Sequence, residues 1–236
     1  MLTETKRALR KPLLPIARGL DAAGVRANHV TVAGVVACGL AAIALALDRT
    51  ALALIWLLMG LLCDMLDGDL ARLRPENISR FGAFLDSTVD RISEAVLFAG
   101  ILIAKQQHDG PAGWFWLVLW VLALSGSFLV SYTRARAEGL GVDCSVGVAE
   151  RPERMVILIL LIVFGLSLSG LFLLILSVLA WWTVYQRMQH TAGRIRAEVG
   201  GDLARVHDDH DSRDDHDSHD DHDSRDDHGS RDDHGS

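Results

Sequence analysis

The stretch DMLDGDLARLRPENISRFGAFLDSTVD, residues 64–90, places acidic residues directly beside long apolar runs. Residues 51–63 (ALALIWLLMGLLC) lead into its first aspartates, and its last two aspartates lead into residues 92–104 (ISEAVLFAGILIA). A carboxylate beside membrane-type sequence is rare, and it generally faces a helix-bundle interior or a water-filled cavity. These acidic residues are therefore the first candidate functional groups of the chain, and they require a counter-charge.

The spacing of four aspartates indicates how they could obtain a counter-charge. Asp64 and Asp67 are three residues apart and Asp86 and Asp90 four apart, so on two helices each pair shares one face. A loop of about ten residues, with Pro75 as a helix breaker, can turn the second helix back antiparallel to the first. Two facing carboxylate pairs form a hard-oxygen site that suits Mg²⁺ or Mn²⁺. Two such cations would neutralise the aspartates and could clamp a phosphoanhydride.

The same residues carry a resemblance to a known family. The pattern Asp64-x2-Asp67-Gly68-x2-Ala71-Arg72-x9-Gly82-x3-Asp86-x3-Asp90 has eight fixed positions over 27 residues. It resembles the signature of the CDP-alcohol phosphotransferases, and the likeness extends over about residues 8–190. The resemblance implies a metal-dependent membrane transferase that moves a phosphatidyl-type group from CDP-diacylglycerol, or a CDP-ether lipid, to a polar alcohol and releases CMP.

The resemblance also implies roles for individual residues. The ligands of two Mg²⁺ or Mn²⁺ ions would be Asp64, Asp67, Asp86 and Asp90. The CDP-lipid pocket would include Asp64, Gly68, Ala71, Arg72 and Gly82. Asp90 would also be the general base, because a hydroxyl attacks inefficiently unless a base takes its proton.

The apolar residues, half of the chain, occur in runs that are typical of a polytopic membrane protein. They predict an all-α fold with six transmembrane helices at about 30–47, 51–70, 84–104, 113–133, 154–168 and 170–186. The last two runs are separated only by Ser167, Ser169 and Gly170. We divide them because a span needs about 20 residues, so the combined run is too long for one.

Basic residues indicate the orientation in the membrane. The N-terminus, the loops near 72–80 and 134–154 and the segment after 187 are basic, whereas the other two connections carry only Lys105 or no basic residue. Six spans place every basic segment on the cytoplasmic side. We therefore expect a multi-pass protein of the cell inner (cytoplasmic) membrane, with both termini and the aspartate site on the cytoplasmic side.

Composition divides the chain into three regions. Residues 1–25 mix basic and apolar side chains and predict an amphipathic interfacial helix rather than a cleavable signal. Residues 26–200 form the six-helix membrane domain. Residues 201–236 form a tail that ends in five copies of a six-residue His/Asp repeat without aliphatic residues, which predicts disorder. Weak metal buffering by this tail is an alternative to a plain solvated tail.

Two further segments, SYTRARAE (131–138) and ERPER (150–154), carry candidate phosphate-binding groups. Their basic residues can simply flank membrane spans. They also resemble the family branch that makes phosphatidylinositol phosphate, or its archaeal ether-lipid counterpart, from inositol 1-phosphate. That resemblance implies an acceptor-phosphate site of Ser131, Arg134, Arg151 and Arg154. Arg134 stands where that branch has lysine, and glycerol 3-phosphate, serine and inositol are competing acceptors.

Functions of other classes are alternatives. A divalent-cation transporter would suit six spans, intramembrane aspartates and a His/Asp tail, but it would leave Gly68, Ala71, Arg72 and Gly82 unexplained. A prenyltransferase would need a larger bundle and a second aspartate motif. No nucleic-acid partner is expected. The family resemblance implies a homodimer, with membrane lipids and a small phosphorylated alcohol as the other partners.

Overall fold

The structure is a computed structural model that describes residues 13–73 and 80–217, the last seventeen of these by backbone alone. The described residues form helices and contain no β-strand, as the sequence predicts. The helices are α1 (Leu14–Ala22), α2 (Ala27–Ala46), α3 (Thr50–Leu73), α4 (Arg80–Asp109), α5 (Trp114–Glu138), α6 (Arg151–Phe164) and α7 (Ser169–Asp217), and a short 3₁₀ helix spans Leu166–Leu168.

Proline and glycine set the limits of α6. Pro152 lies in its first turn, where the missing N–H of proline removes no helical hydrogen bond. Gly165 follows its last residue with a φ of 85°, a conformation that glycine adopts without steric strain. The break between α6 and α7 is therefore within a few residues of the predicted boundary between the fifth and sixth spans.

Within the described residues, four helical segments are long and apolar enough to cross a membrane: Ala27–Ala46, Thr50–Leu73, Trp114–Glu138 and Leu166–Gly200. Helices α4 and α6 lie at the positions of the other two predicted spans, but they differ from these four segments in composition or in length. The first half of α4 carries charged side chains of both signs, including Asp86 and Arg91. Helix α6 has 14 residues, fewer than the ~20 that a bilayer span needs. Length and composition thus identify four candidate spans rather than six.

Helix packing forms one bundle. α2 packs against both α3 and α4, α5 packs along α7, and α6 contacts α3 and α7. The main apolar core draws fully buried side chains from several of these helices, such as Leu57, Phe98, Leu158 and Leu173. Close approach depends on small residues, because a Cβ added at Gly100 of α4 would lie 2.7 Å from the Cα of Ala42 in α2. This packing holds α3 and α4, the two helices of the aspartate motif, around α2.

The structure describes parts of the predicted N-terminal amphipathic helix and of the predicted C-terminal tail. α1 is the described part of the predicted amphipathic helix, with Leu14 and Ile16 exposed and Ala17 buried, and residues 1–12 lie outside the described residues. α7 continues as a helix through Asp217, which includes part of the predicted disordered tail. No proline interrupts this stretch, and extending an existing helix has little further cost. The remaining tail, 218–236, lies outside the described residues.

Candidate active site

The end of α3 and the beginning of α4 bring acidic side chains together at one end of the bundle. Carboxylate oxygens of Asp64, Asp67 and Asp86 lie within 4.8 Å of one another. These are three of the four predicted metal ligands, and we call them the aspartate cluster. The i, i+3 spacing on α3 supplies the first two, and α4 supplies the third.

Arg151 connects the fourth aspartate to this cluster. Its guanidinium Nη1 donates to the Oδ1 of Asp64, and its Nη2 lies 2.7 Å from the Oδ1 of Asp90. Asp90 is buried, and Arg91 offers it a second, more distant partner at 3.7 Å. The sequence assigns Arg151 to the acceptor site, and the structure adds a direct contact with two of the predicted metal ligands.

Thr31 of α2 also belongs to this site, although the sequence analysis did not identify it. Its Oγ1 lies 2.7 Å from the Oδ2 of Asp67 and 3.1 Å from the backbone oxygen of Ala27, so the hydroxyl can donate to the carboxylate. This hydrogen bond holds the Asp67 carboxylate in place at the cluster. No sequence signal marks Thr31, because it precedes the aspartate motif by more than 30 residues.

A second ion pair lies one helical turn beyond Asp90 and Arg151. Glu94 and Arg154 are both almost completely buried, at 1% relative exposure each. Nε and Nη2 of Arg154 meet the two carboxylate oxygens of Glu94 at 2.8 and 3.0 Å, and Nη1 donates to the backbone oxygen of Ala149 at 3.0 Å. Arg154, which the sequence assigns to acceptor phosphate, is thus engaged by protein groups. Glu94 was missed, although a carboxylate within an apolar run was the available signal.

A cavity of about 910 Å³ opens beside the aspartate cluster. Its wall includes four residues predicted for the CDP-lipid pocket, namely Gly68, Ala71, Arg72 and Gly82, together with Asp67 and Asp86. Arg26, in the connection between α1 and α2, and Asn28, in the first turn of α2, also line the cavity. Small side chains at three of the predicted positions keep this space open, and a Cβ on Gly68 would come within 3.3 Å of the Arg72 guanidinium.

The other predicted acceptor residues lie near the end of α5 and have local partners. Ser131 donates to the backbone oxygen of Ser127 at 3.5 Å, and the Nε of Arg134 lies 2.8 Å from the Oε1 of Glu138. Arg134 is exposed and its partner is on the same helix, so this pair is easily exchanged for another anion.

Arg187 of α7 is a buried cation in this region that the sequence analysis did not identify. It donates from Nε to the backbone oxygen of Val146 at 2.8 Å and from Nη1 to that of Val130. It is also close enough to Arg134, Arg154 and Glu150 to interact with them electrostatically. Arg187 therefore ties the segment before α6 to α5 and α7.

The chemistry of the cluster fits a hard divalent cation. Carboxylate oxygens are the ligands that Mg²⁺ and Mn²⁺ prefer, and the three aspartates offer them at close range from two rigid helices. The hydrogen bond from Thr31 to Asp67 is the kind of outer contact that orients a metal ligand. Asp64, Asp67 and Asp86 are thus suited to hold a metal ion, with Asp90 beside them.

A membrane-helix bundle with this aspartate arrangement defines a class of enzyme. A family model described as CDP-alcohol phosphatidyltransferase matches residues 25–187, which include the aspartate motif and both predicted acceptor segments. The chain belongs to this family, and the resemblance inferred from the motif is confirmed. It is an enzyme of phospholipid biosynthesis, and its family supports this function over the transporter and prenyltransferase alternatives.

Individual relatives are similar over most of the chain. An archaetidylinositol phosphate synthase from Pyrococcus horikoshii is 35% identical over 199 residues, which cover 83% of this chain and 98% of the relative. The crystal structure of Mycobacterium tuberculosis phosphatidylinositol phosphate synthase with CDP-DAG bound has a TM-score of 0.66 and 30% identity, covering 75% of this chain and 92% of that one. A structure of the same enzyme with manganese and citrate has a TM-score of 0.64 and 31% identity, covering 75% and 87% of the two chains.

Proposed function

We propose that the protein transfers a phosphatidyl-type group from CDP-diacylglycerol, or a CDP-ether lipid, to inositol 1-phosphate and releases CMP. The observation that carries this proposal is the aspartate cluster beside the cavity lined by Gly68, Ala71, Arg72 and Gly82. The relatives support the substrates, since they are named for inositol phosphate lipid synthesis and one of them was crystallised with CDP-DAG.

The charges around the site support two metal ions. Five carboxylates and three arginines form one connected group, so the group carries two negative charges; its members are Asp64, Asp67, Asp86, Asp90, Glu94, Arg91, Arg151 and Arg154. Two Mg²⁺ or Mn²⁺ ions would leave two positive charges. A diphosphate diester such as the CDP-lipid headgroup carries two negative charges, so the loaded site would be neutral.

The proposed reaction is a displacement at the lipid-side phosphorus of the donor. The acceptor oxygen forms a bond to this phosphorus, the bond to the CMP oxygen breaks, and CMP leaves with the electron pair. Asp90 accepts the hydroxyl proton, and Asp64, Asp67 and Asp86 hold the ions. When bound, these ions supply positive charge that stabilises the leaving group. Arg72 lines the cavity and is suited to the donor's phosphates.

The acceptor phosphate would meet Ser131, Arg134 and Arg151. Arg134 is the clearest test because it is exposed and its partner Glu138 is equally exposed. A charge-assisted hydrogen bond contributes about 1.5–3 kcal/mol, or roughly 10- to 150-fold in apparent affinity. Arg134→Gln should therefore raise the KM for inositol 1-phosphate by that factor, with little change in the KM for the donor. Arg136→Gln, the same change at an exposed neighbour, is the control.

The membrane setting is part of the same proposal. Helices α4 and α6 would complete the six spans. Neighbouring helices would shield the charged half of α4 and would compensate for the short length of α6. An even number of spans would leave both termini on the same side of the membrane, and the positive-inside rule makes that side, with the aspartate site, the cytoplasmic one. Residues 1–25 would lie on the anionic inner leaflet, and the enzyme would be a homodimer of the cell inner membrane.

A direct test uses purified full-length protein in detergent micelles, with CDP-diacylglycerol as donor and CMP release as the readout. Inositol 1-phosphate, glycerol 3-phosphate, serine and inositol are compared at equal concentration. We expect inositol 1-phosphate to give the highest kcat/KM. A preference for glycerol 3-phosphate would overturn the inositol assignment alone, as expected for a phosphatidylglycerophosphate synthase. Preference for an unphosphorylated alcohol would overturn the phosphate site.

A further inference from the structure

The buried ion pair of Glu94 and Arg154 has a geometry that is unusual for two charges inside a membrane bundle. Arg154 uses Nε, Nη1 and Nη2, and the two oxygens of Glu94 accept from two of them. Neither side chain has more than 1% of its surface exposed. Burying such a pair rarely adds net stability, whereas removing one partner leaves a buried charge without compensation. A pair of this kind can therefore be kept for a reason other than stability.

The position of the pair suggests that reason. On α4, Glu94 follows Asp90 by four residues, and on α6 Arg154 follows Arg151 by three, so both pairs connect the same two helices. The Asp90–Arg151 contact belongs to the catalytic end, and Arg151 already neutralises part of the aspartate charge there. Without Glu94, Arg154 would be a free buried cation one helical turn from further carboxylates.

We infer that Glu94 is a positioning residue that holds the Arg154 guanidinium away from the aspartates and so preserves the negative charge that binds a divalent cation. This inference rests on the proposed metal site, and it adds a residue outside the aspartate motif to the determinants of metal affinity. Glu94 also lies 3.9 Å from Arg91, so replacing it removes a negative charge that two arginines share and releases Arg154 toward the site.

The inference predicts opposite effects for the two partners of the pair. Glu94→Gln should weaken Mn²⁺ binding by about tenfold or more, as expected for an unbalanced charge near the ion at an effective dielectric of about 20. Arg154→Gln leaves Glu94 in place and should not weaken Mn²⁺ binding. The double variant Glu94→Gln/Arg154→Gln removes both charges and should restore the Mn²⁺ dissociation constant to within about threefold of wild type.

The measurement is Mn²⁺ binding followed by electron paramagnetic resonance of the free ion, with the full-length protein in lipid nanodiscs. The Asp86→Asn variant keeps the C-terminal tail and gives the background from any binding there. Glu138→Gln breaks an exposed Arg–Glu pair and is the control for the substitution itself. If wild type binds no more Mn²⁺ than Asp86→Asn, the proposed metal site fails rather than the role of Glu94.

Three results would overturn the role of Glu94 in a protein that binds Mn²⁺. The first is an unchanged Mn²⁺ dissociation constant in Glu94→Gln. The second is Mn²⁺ binding that is weakened as much in Arg154→Gln as in Glu94→Gln. The third is a double variant whose Mn²⁺ binding stays as weak as that of Glu94→Gln. The last two would mean that the pair only supports the fold. If Glu94→Gln does not fold, the Arg154→Gln and double variants still decide, because a structural role predicts weakening in both.

Discussion

Asp90 differs from the other aspartates because arginines contact it from two helices. Arg151 lies 2.7 Å away and Arg91 3.7 Å away, and both offset part of the cost of burying its carboxylate form. A carboxylate is the form that a general base requires. The arrangement thus supports the separate role that the family motif implies for the last aspartate.

Asp90→Asn removes this base while keeping the size of the side chain. We predict that turnover falls by about 10²–10⁴-fold, the usual contribution of general base catalysis. CMP release under saturating substrates is the measurement. Asp48→Asn is the matched control, because Asp48 is exposed and has a φ of 54°, which asparagine tolerates. Turnover of Asp90→Asn within tenfold of wild type would argue against a base at this position.

Thr31 gives a second prediction for a single side chain. Thr31→Val removes the hydroxyl at nearly constant volume, and Asp67 then loses a hydrogen bond of 2.7 Å. Bonds to charged groups contribute about 1.5–3 kcal/mol, so the Mn²⁺ concentration for half-maximal CMP release should rise roughly tenfold or more. Thr31→Ser keeps the hydroxyl and should resemble wild type. An equal rise in both variants would show that any change of this side chain disturbs the site, rather than the loss of the hydrogen bond in particular.

At this scale the sequence predicts the acidic groups better than their partners. Asp64, Asp67 and Asp86 were predictable because a carboxylate beside an apolar run stands out and because their spacing defines helix faces. Thr31 and Arg187 were not, since their contacts come from helices distant in sequence. A hydroxyl or a flanking arginine carries no signal until packing gives it a partner.

Among the elements, α2 and α4 approach each other most closely where Gly100 faces Ala42. A Cβ at Gly100 would lie 2.7 Å from the Cα and 2.9 Å from the backbone oxygen of Ala42. These are main-chain atoms, so relief requires that one helix shifts. The contact therefore limits how α4, with Asp86 and Asp90, can sit on α2.

Gly100→Ala should consequently destabilise the protein, by about 1–3 kcal/mol, through overpacking. The thermal unfolding midpoint in detergent is the measurement. Gly39→Ala on α2 is the matched control, because a Cβ there meets nothing within 4 Å. Alanine favours a helix over glycine, so the control should be unchanged or slightly more stable. Equal midpoints for the two variants would contradict the close approach of these helices.

The sequence predicts the positions of the helices better than their ends. Each of the six predicted apolar runs falls largely within one described helix, because a span has a characteristic length and composition. The helix ends differ, since helices such as α4 and α7 continue into polar residues that hydropathy does not mark. Hydropathy also cannot decide whether α4 and α6 cross the membrane, because their environment is set by the neighbouring helices.

For the whole molecule, the functional groups are concentrated in the part of the chain that the family match covers. Residues 25–187 contain the aspartate cluster, most residues that line the cavity, and the proposed acceptor residues. The repeats at 207–236 lie beyond this part and add formal charge rather than motif residues.

Deletion of residues 207–236 should therefore leave turnover within a few-fold of wild type at saturating Mn²⁺ or Mg²⁺. CMP release by the truncated and full-length proteins is compared over a range of metal concentrations. A change confined to low metal concentration would support metal buffering by the His/Asp repeats. Loss of activity at saturating metal would mean that the tail takes part in catalysis.

The most direct test of the metal-dependent transfer is a Mn²⁺ titration of EDTA-stripped protein with CDP-diacylglycerol and inositol 1-phosphate. We predict no CMP release before Mn²⁺ is added, recovery with Mn²⁺ or Mg²⁺, and no recovery in Asp64→Asn, Asp67→Asn or Asp86→Asn variants that remain folded. Full CMP release in EDTA, or wild-type turnover in any two of these variants, would contradict a metal-dependent transferase built on the aspartate cluster.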